Sequence, residues 1–162
     1  MALSLRVGLS SGEEGASGSG FAKLVDDMKR LLQDESSSDV LFLLDNEDNE
    51  PTPVHAHRLI LKTRCSAFDQ PSSPHDCRLP GATVTQSDSR LVIKWPDISA
   101  KSLREVLLYL YTGLMEILDN NVFQVLAIAR AMGVEELVGQ CKRHIQNNLS
   151  VSVSDSLQTT VS

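Results

Sequence analysis

The sequence predicts a single α+β domain, a small β-sheet packed with helices, and three observations predict it. Four stretches repeat apolar residues at the three-and-four spacing of one helix face. Two short β-rich runs, "DVLFLL" at 39–44 and "RLVIKW" at 90–95, are bounded by turn residues. The length of 162 residues suits one core better than two.

The first helix runs over Phe21, Leu24, Val25, Met28, Leu31 and Leu32, with Lys23, Asp26, Lys29 and Arg30 opposite, and ends near "QDESSSD" where Ser and Asp favour turns. Before it, "SGEEGASGSG" at 11–20 is too polar and glycine-rich to offset its ordering entropy, so residues 1–20 read as a flexible segment. Within that segment Leu3, Leu5, Val7 and Leu9 alternate with polar or small residues, a short strand for 3–9 if another chain offers an edge.

"DVLFLL" reads as a strand buried on both faces, "DNEDNEPTP" as a turn, and "VHAHR" at 54–58 as the returning strand of a hairpin. "LILKTRCSAF" opens a second helix, and the prolines and serines of 70–89 predict an irregular surface loop. After "RLVIKW" and Pro96, Ser99 is the expected N-cap of a helix whose buried face is Leu103, Val106, Leu107 and Leu110, with Gly113 as its left-handed end. "LMEIL" at 114–118 reads as a short strand. Two more helices follow, closed by Gly133 and carrying Val134, Leu137, Val138, Cys141 and Ile145, so the domain spans 21–149 and a serine-rich tail of 150–162 frays.

Apolar residues at 41% and charged residues at 22% match a soluble globular chain, and no apolar run reaches the roughly 18 residues of a membrane span. The first ten residues lack the apolar block of a secretory signal. Three cysteines are too few and odd for a secreted framework, which points to the cytoplasm or nucleus. A net charge of −6 argues against a nucleic-acid partner.

One cluster invites a chemical reading. His55, His57, Cys65, His75 and Cys77 are ligand types that zinc prefers, yet no C-x-x-C is present and the spacing is poor. A thiol nucleophile needs a histidine in reach, and Cys65 and Cys141 both read as small core hydrophobes. No catalytic or cofactor fingerprint appears, so a metal site or thiol enzyme at 55–77 is the competing class and a non-enzymatic chain without cofactor is the reading.

Four patterns then line up: "SDV" at 38–40, "HAHRLIL" at 55–61, "WPDIS" at 95–99 and "LLYLYTG" at 107–113, followed by "LAIARAMGVEELVGQCKRHI". In this order the chain resembles the BTB/POZ domain from about Phe21 to Leu149. The resemblance implies a small sheet capped by helical hairpins and a protein-interaction module. It implies a homodimer, or a dimer with a BTB-containing relative, through the first helix, here Leu24, Met28, Leu31 and Leu32. It implies a buried charged pair of Asp39 and Arg58 with His57 packed beneath. It also implies recruitment of a cullin-type ubiquitin ligase scaffold or, alternatively, of transcriptional corepressors. In some members a strand before the first helix crosses to the partner subunit, which 3–9 is suited to do.

Two departures bear on the cullin role. The hydrophobic-x-Glu pattern of cullin-recruiting relatives is missing, because no glutamate lies between Glu50 and Glu105. No kelch repeat or zinc finger accompanies the domain, so an adaptor would have its scaffold end and no cargo end, as in a fragment or in a chain that pairs with a longer relative.

Overall fold

A computed structural model describes residues 17–45, 50–69 and 78–159. Among the described residues, five α-helices pack with a four-stranded sheet. Helix α1 spans Ser17–Gln33, α2 Arg58–Arg64, α3 Ala100–Thr112, α4 Val122–Met132 and α5 Glu135–Thr159. The strands are β1 (Val40–Leu44), β2 (Thr52–Ala56), β3 (Thr83–Ser87) and β4 (Arg90–Trp95).

The sheet order is β2-β1-β4-β3. β1 pairs antiparallel with β2, where Phe42 faces Val54, and parallel with β4, where Phe42 faces Ile93. Because side chains alternate across a strand, this register puts Val40, Phe42, Leu44, Leu91, Ile93 and Trp95 on one buried face. Leu41, Leu43 and Val92 on the opposite face are half-buried, so β1 is not buried on both sides as its unbroken apolar run predicts.

The helices close that face. Leu103, Val106, Leu107 and Leu110 of α3 meet Val125, Ile128 and Met132 of α4 and Leu137 and Cys141 of α5 in one core. Both expected ends of α3 are present: Ser99 accepts from the Ser102 N–H, and Gly113 takes φ 75°. Gly133 ends α4 at φ 74°, and a Cβ there would collide with the Ser66 Oγ. The Ser66 hydroxyl donates to the Gly133 carbonyl at 3.2 Å, which joins the 3-10 turn Ser66–Phe68 to the end of α4.

Four further sequence expectations change. The second half of the 70–89 stretch is the strand β3, joined to β4 by a tight turn in which Asp88 adopts φ 52°. Segment 114–118 forms no strand among the described residues, although its burial alternates along the chain. The helix backbone of α5 continues to Thr159, past the point where the serine-rich tail was expected to fray. Helix α1 begins at Ser17, inside the stretch read as linker. The candidate strand 3–9 lies outside the described residues.

Candidate protein-binding surface

Helix α1 carries the surface. Its stripe divides along its length: Val25 is buried, Met28, Leu31 and Leu32 are half-buried against the core, and Phe21 and Leu24 stand 59% and 57% exposed. Of the four residues singled out from sequence, therefore, Leu24 faces outward and the other three are shared with the chain's own interior. Phe21 belongs to the same outward end. Leu59, 76% exposed at the start of α2, is a further apolar surface residue, although helical spacing groups it with Ile60 and Thr63.

A polar seam ties the connector that follows α1 to the core. The Tyr111 hydroxyl accepts from the His57 main-chain N–H at 2.9 Å and lies 2.7 Å from His57 Nδ1. The Ser37 hydroxyl donates to the Asp34 carbonyl at 3.4 Å, so at its 2.8 Å contact with His57 Nε2 the ring is the donor, and a neutral ring then accepts from the Tyr111 hydroxyl at Nδ1. One buried ring thus bridges α3 and the connector between α1 and β1. Beside it, the Ser38 hydroxyl donates to the Glu35 carbonyl at 2.8 Å, so the 3.0 Å contact with His55 Nδ1 has the ring as donor. Burial pushes the Tyr111 phenol up to about 12.

Asp39 and Arg58 come together, though not as two charged side chains. The Asp39 Oδ1 accepts from the Arg58 main-chain N–H at 2.6 Å. His57 holds the N-cap position of α2 without a side-chain capping bond, so the carboxylate from the start of β1 supplies the acceptor and a negative charge at the positive end of the helix. The Arg58 guanidinium reaches instead to the Gln86 Oε1 at 3.1 Å on β3, and its Nε is buried with no hydrogen-bond partner. The ion pair that the resemblance implies is not among the salt bridges of the described residues.

The histidines and cysteines are spread over structural tasks. His55 and His57 are engaged as above, and Cys65 and Cys141 are buried in the core. Burial pushes the Cys141 thiol up to about 11, away from thiolate chemistry. His75 and Cys77 lie outside the described residues. Among the described residues no cluster of three or more His, Cys, Asp or Glu side chains is arranged to hold a metal ion, and no helix is long and apolar enough to cross a membrane.

The BTB/POZ domain family model matches residues 28–149. The chain belongs to the BTB/POZ family. Curated relatives include the BTB/POZ domain-containing protein 19 of Bos taurus, 31% identical over 126 residues, and that of Homo sapiens, 29% identical over 126. In both cases the match covers 78% of this chain and 39% of the relative, so the chain spans well under half the length of these proteins. Among solved structures, the BTB domain of zebrafish PATZ1 superposes with a TM-score of 0.57 at 14% identity, covering 84% of this chain and 99% of that one. The α+β architecture is accordingly that of a BTB domain. As a BTB/POZ domain the chain is a protein–protein interaction module, of a kind that typically dimerises with other BTB-containing proteins.

Proposed function

We propose that this BTB/POZ chain homodimerises, or pairs with a BTB-containing relative, through α1, and that the dimer serves as an adaptor in the cytoplasm or nucleus. The observation that carries the reading is the outward apolar end of α1, Phe21 and Leu24, continuous along the helix with Met28, Leu31 and Leu32, which the chain's own core covers only in part. Two large apolar side chains left in water at one end of a single helix gain by burial against a second copy.

The exchanged strand joins the same reading. Met115 and Ile117 are half-buried against the core while Leu114, Glu116 and Leu118 are exposed, the alternation of a strand that has no ladder partner among the described residues. Residues 3–9 alternate in the same way and supply that partner from the second subunit.

Adaptor work for a cullin-type scaffold is the finer part of the proposal. It draws on Phe123, Leu118 and Leu114, exposed apolar residues close together in the chain and separate in sequence from α1. The missing hydrophobic-x-Glu pattern weighs against it, and corepressor peptides are the competing occupants.

Solution mass across a concentration series tests the dimer. The wild-type chain is expected to be a dimer, and Met28→Asp, which puts a charge into the shared apolar face, is expected to convert it to monomer or aggregate. Deleting residues 1–12 is expected to weaken the dimer; an unchanged dissociation constant contradicts strand exchange. Binding of a purified cullin N-terminal region to the wild type, lost in Phe123→Asp, supports the adaptor role, whereas binding of corepressor peptides alone supports the alternative.

A further inference from the structure

We propose that Ser36, in the turn that ends α1, is an acceptor for a protein kinase that selects acidic surroundings, and that its phosphorylation loosens α1. The effect on assembly rests on the dimer reading above; the modification and the loosening do not.

The three serines at 36–38 lie between Asp34, Glu35 and Asp39, and no Lys or Arg occurs between Arg30 and Arg58. A kinase whose substrate cleft is basic meets carboxylates on both sides of the acceptor, with Asp39 three residues beyond Ser36. The three hydroxyls are not equivalent. Ser38 is buried and bonded to the Glu35 carbonyl. Ser37 is exposed too, but its hydroxyl is tied to the buried His57 ring and to the Asp34 carbonyl. Ser36 is exposed, and its hydroxyl is held by the Asp34 Oδ1 at 2.6 Å, the same oxygen that accepts from the Ser36 N–H at 3.1 Å.

Modification turns that contact from attraction to repulsion. The Ser36 oxygen attacks the γ-phosphorus of a nucleoside triphosphate and forms an O–P bond. The bond from that phosphorus to the β–γ bridging oxygen breaks, the nucleoside diphosphate leaves, and the hydroxyl proton passes to the kinase's base. A donor to Asp34 has become a dianion beside it. In the unmodified chain, hydrogen bonds from Ser36 and Ser37 hold the Asp34 carboxyl below its ordinary value, so it is ionised when the phosphoryl group arrives. The new charge also lies just past the C-terminus of α1, where the helix carbonyls already present negative partial charge. Both effects fray the last turn, which carries Leu31 and Leu32.

The test incubates the full chain with Mg-ATP and a serine kinase of acidic-site preference, then maps phosphate by tandem mass spectrometry and follows amide hydrogen exchange. One phosphate at Ser36 is expected, absent from Ser36→Ala, with amides of residues 29–34 exchanging roughly tenfold faster in the phosphorylated chain. The dimer dissociation constant is expected to rise by a similar factor. Incorporation undiminished in Ser36→Ala, or Ser36 phosphate with unchanged exchange in α1, overturns the proposal. A chain that is monomeric before treatment, yet takes phosphate at Ser36 and exchanges faster in α1, supports the modification and contradicts the dimer reading alone.

Discussion

Helices α1 and α3 are both amphipathic, yet the chain treats their apolar faces differently. Leu103, Val106, Leu107 and Leu110 of α3 are all buried in the core. On α1 only Val25 is buried, while Phe21 and Leu24 remain in water. The difference teaches that an apolar stripe reports burial without saying by what: α3 is consumed by its own core, and α1 has a surplus left for another chain.

The sharpest way to break that comparison is to truncate each face in turn. Leu107→Ala leaves a void in the fully packed core and is expected to cost about 3 kcal/mol of stability in denaturant unfolding, whereas Leu24→Ser is expected to change the stability of the dilute chain by less than about 0.5 kcal/mol. Equal losses would mean that α1 is core throughout.

Next in size is the junction between α4 and the 3-10 turn. Gly133→Ala combines a left-handed φ with a collision against Ser66, and is expected to cost about 2 kcal/mol. Adding Ser66→Gly is expected to recover part of that loss, which an effect of φ alone would not allow.

The polar seam responds to alkaline pH. Folding raises the Tyr111 phenol to about 12 from 10, so its share of stability is complete below pH 10 and is lost as pH climbs from 10 towards 12. The Cys141 thiol, raised to about 11, adds a loss that begins near pH 9. In thermal melts from pH 8 to 12, Tyr111→Phe is expected to start less stable and then fall less steeply than the wild type.

The smallest effect separates two accounts of Asp39. If its carboxylate caps α2 through a main-chain N–H, Asp39→Ala costs about 1 kcal/mol and Arg58→Ala costs less, because the guanidinium bonds Gln86 instead. A loss of about 3 kcal/mol for either change would restore the buried ion pair that the family resemblance implies.

Legibility in the sequence followed the range of the interaction concerned. Helices α3 and α4 were readable because periodicity, Ser99, Gly113 and Gly133 are local signals. Strand β3 was missed because prolines and serines precede it, although Thr83, Val84 and Thr85 ahead of a tight Asp88–Ser89 turn carried a β signal. Segment 114–118 looked like a strand and has the alternation of one, but pairing depends on where another chain segment runs, which no local pattern encodes. At the candidate surface, the α1 stripe was visible, while the split between its shared and outward ends depends on how far α3 reaches along it. The role of Asp39 was hidden for the same reason: its partner is a main-chain N–H, which every residue but proline carries.

The most direct test of the central claim is sedimentation equilibrium of the wild type and Leu24→Asp, read beside their unfolding curves in dilute solution. The account predicts a wild-type dimer whose dissociation constant rises roughly thirtyfold or more in the variant, with nearly coincident unfolding of the dilute chains. A wild type that stays monomeric at every concentration, or a variant that self-associates as strongly as the wild type, would contradict it.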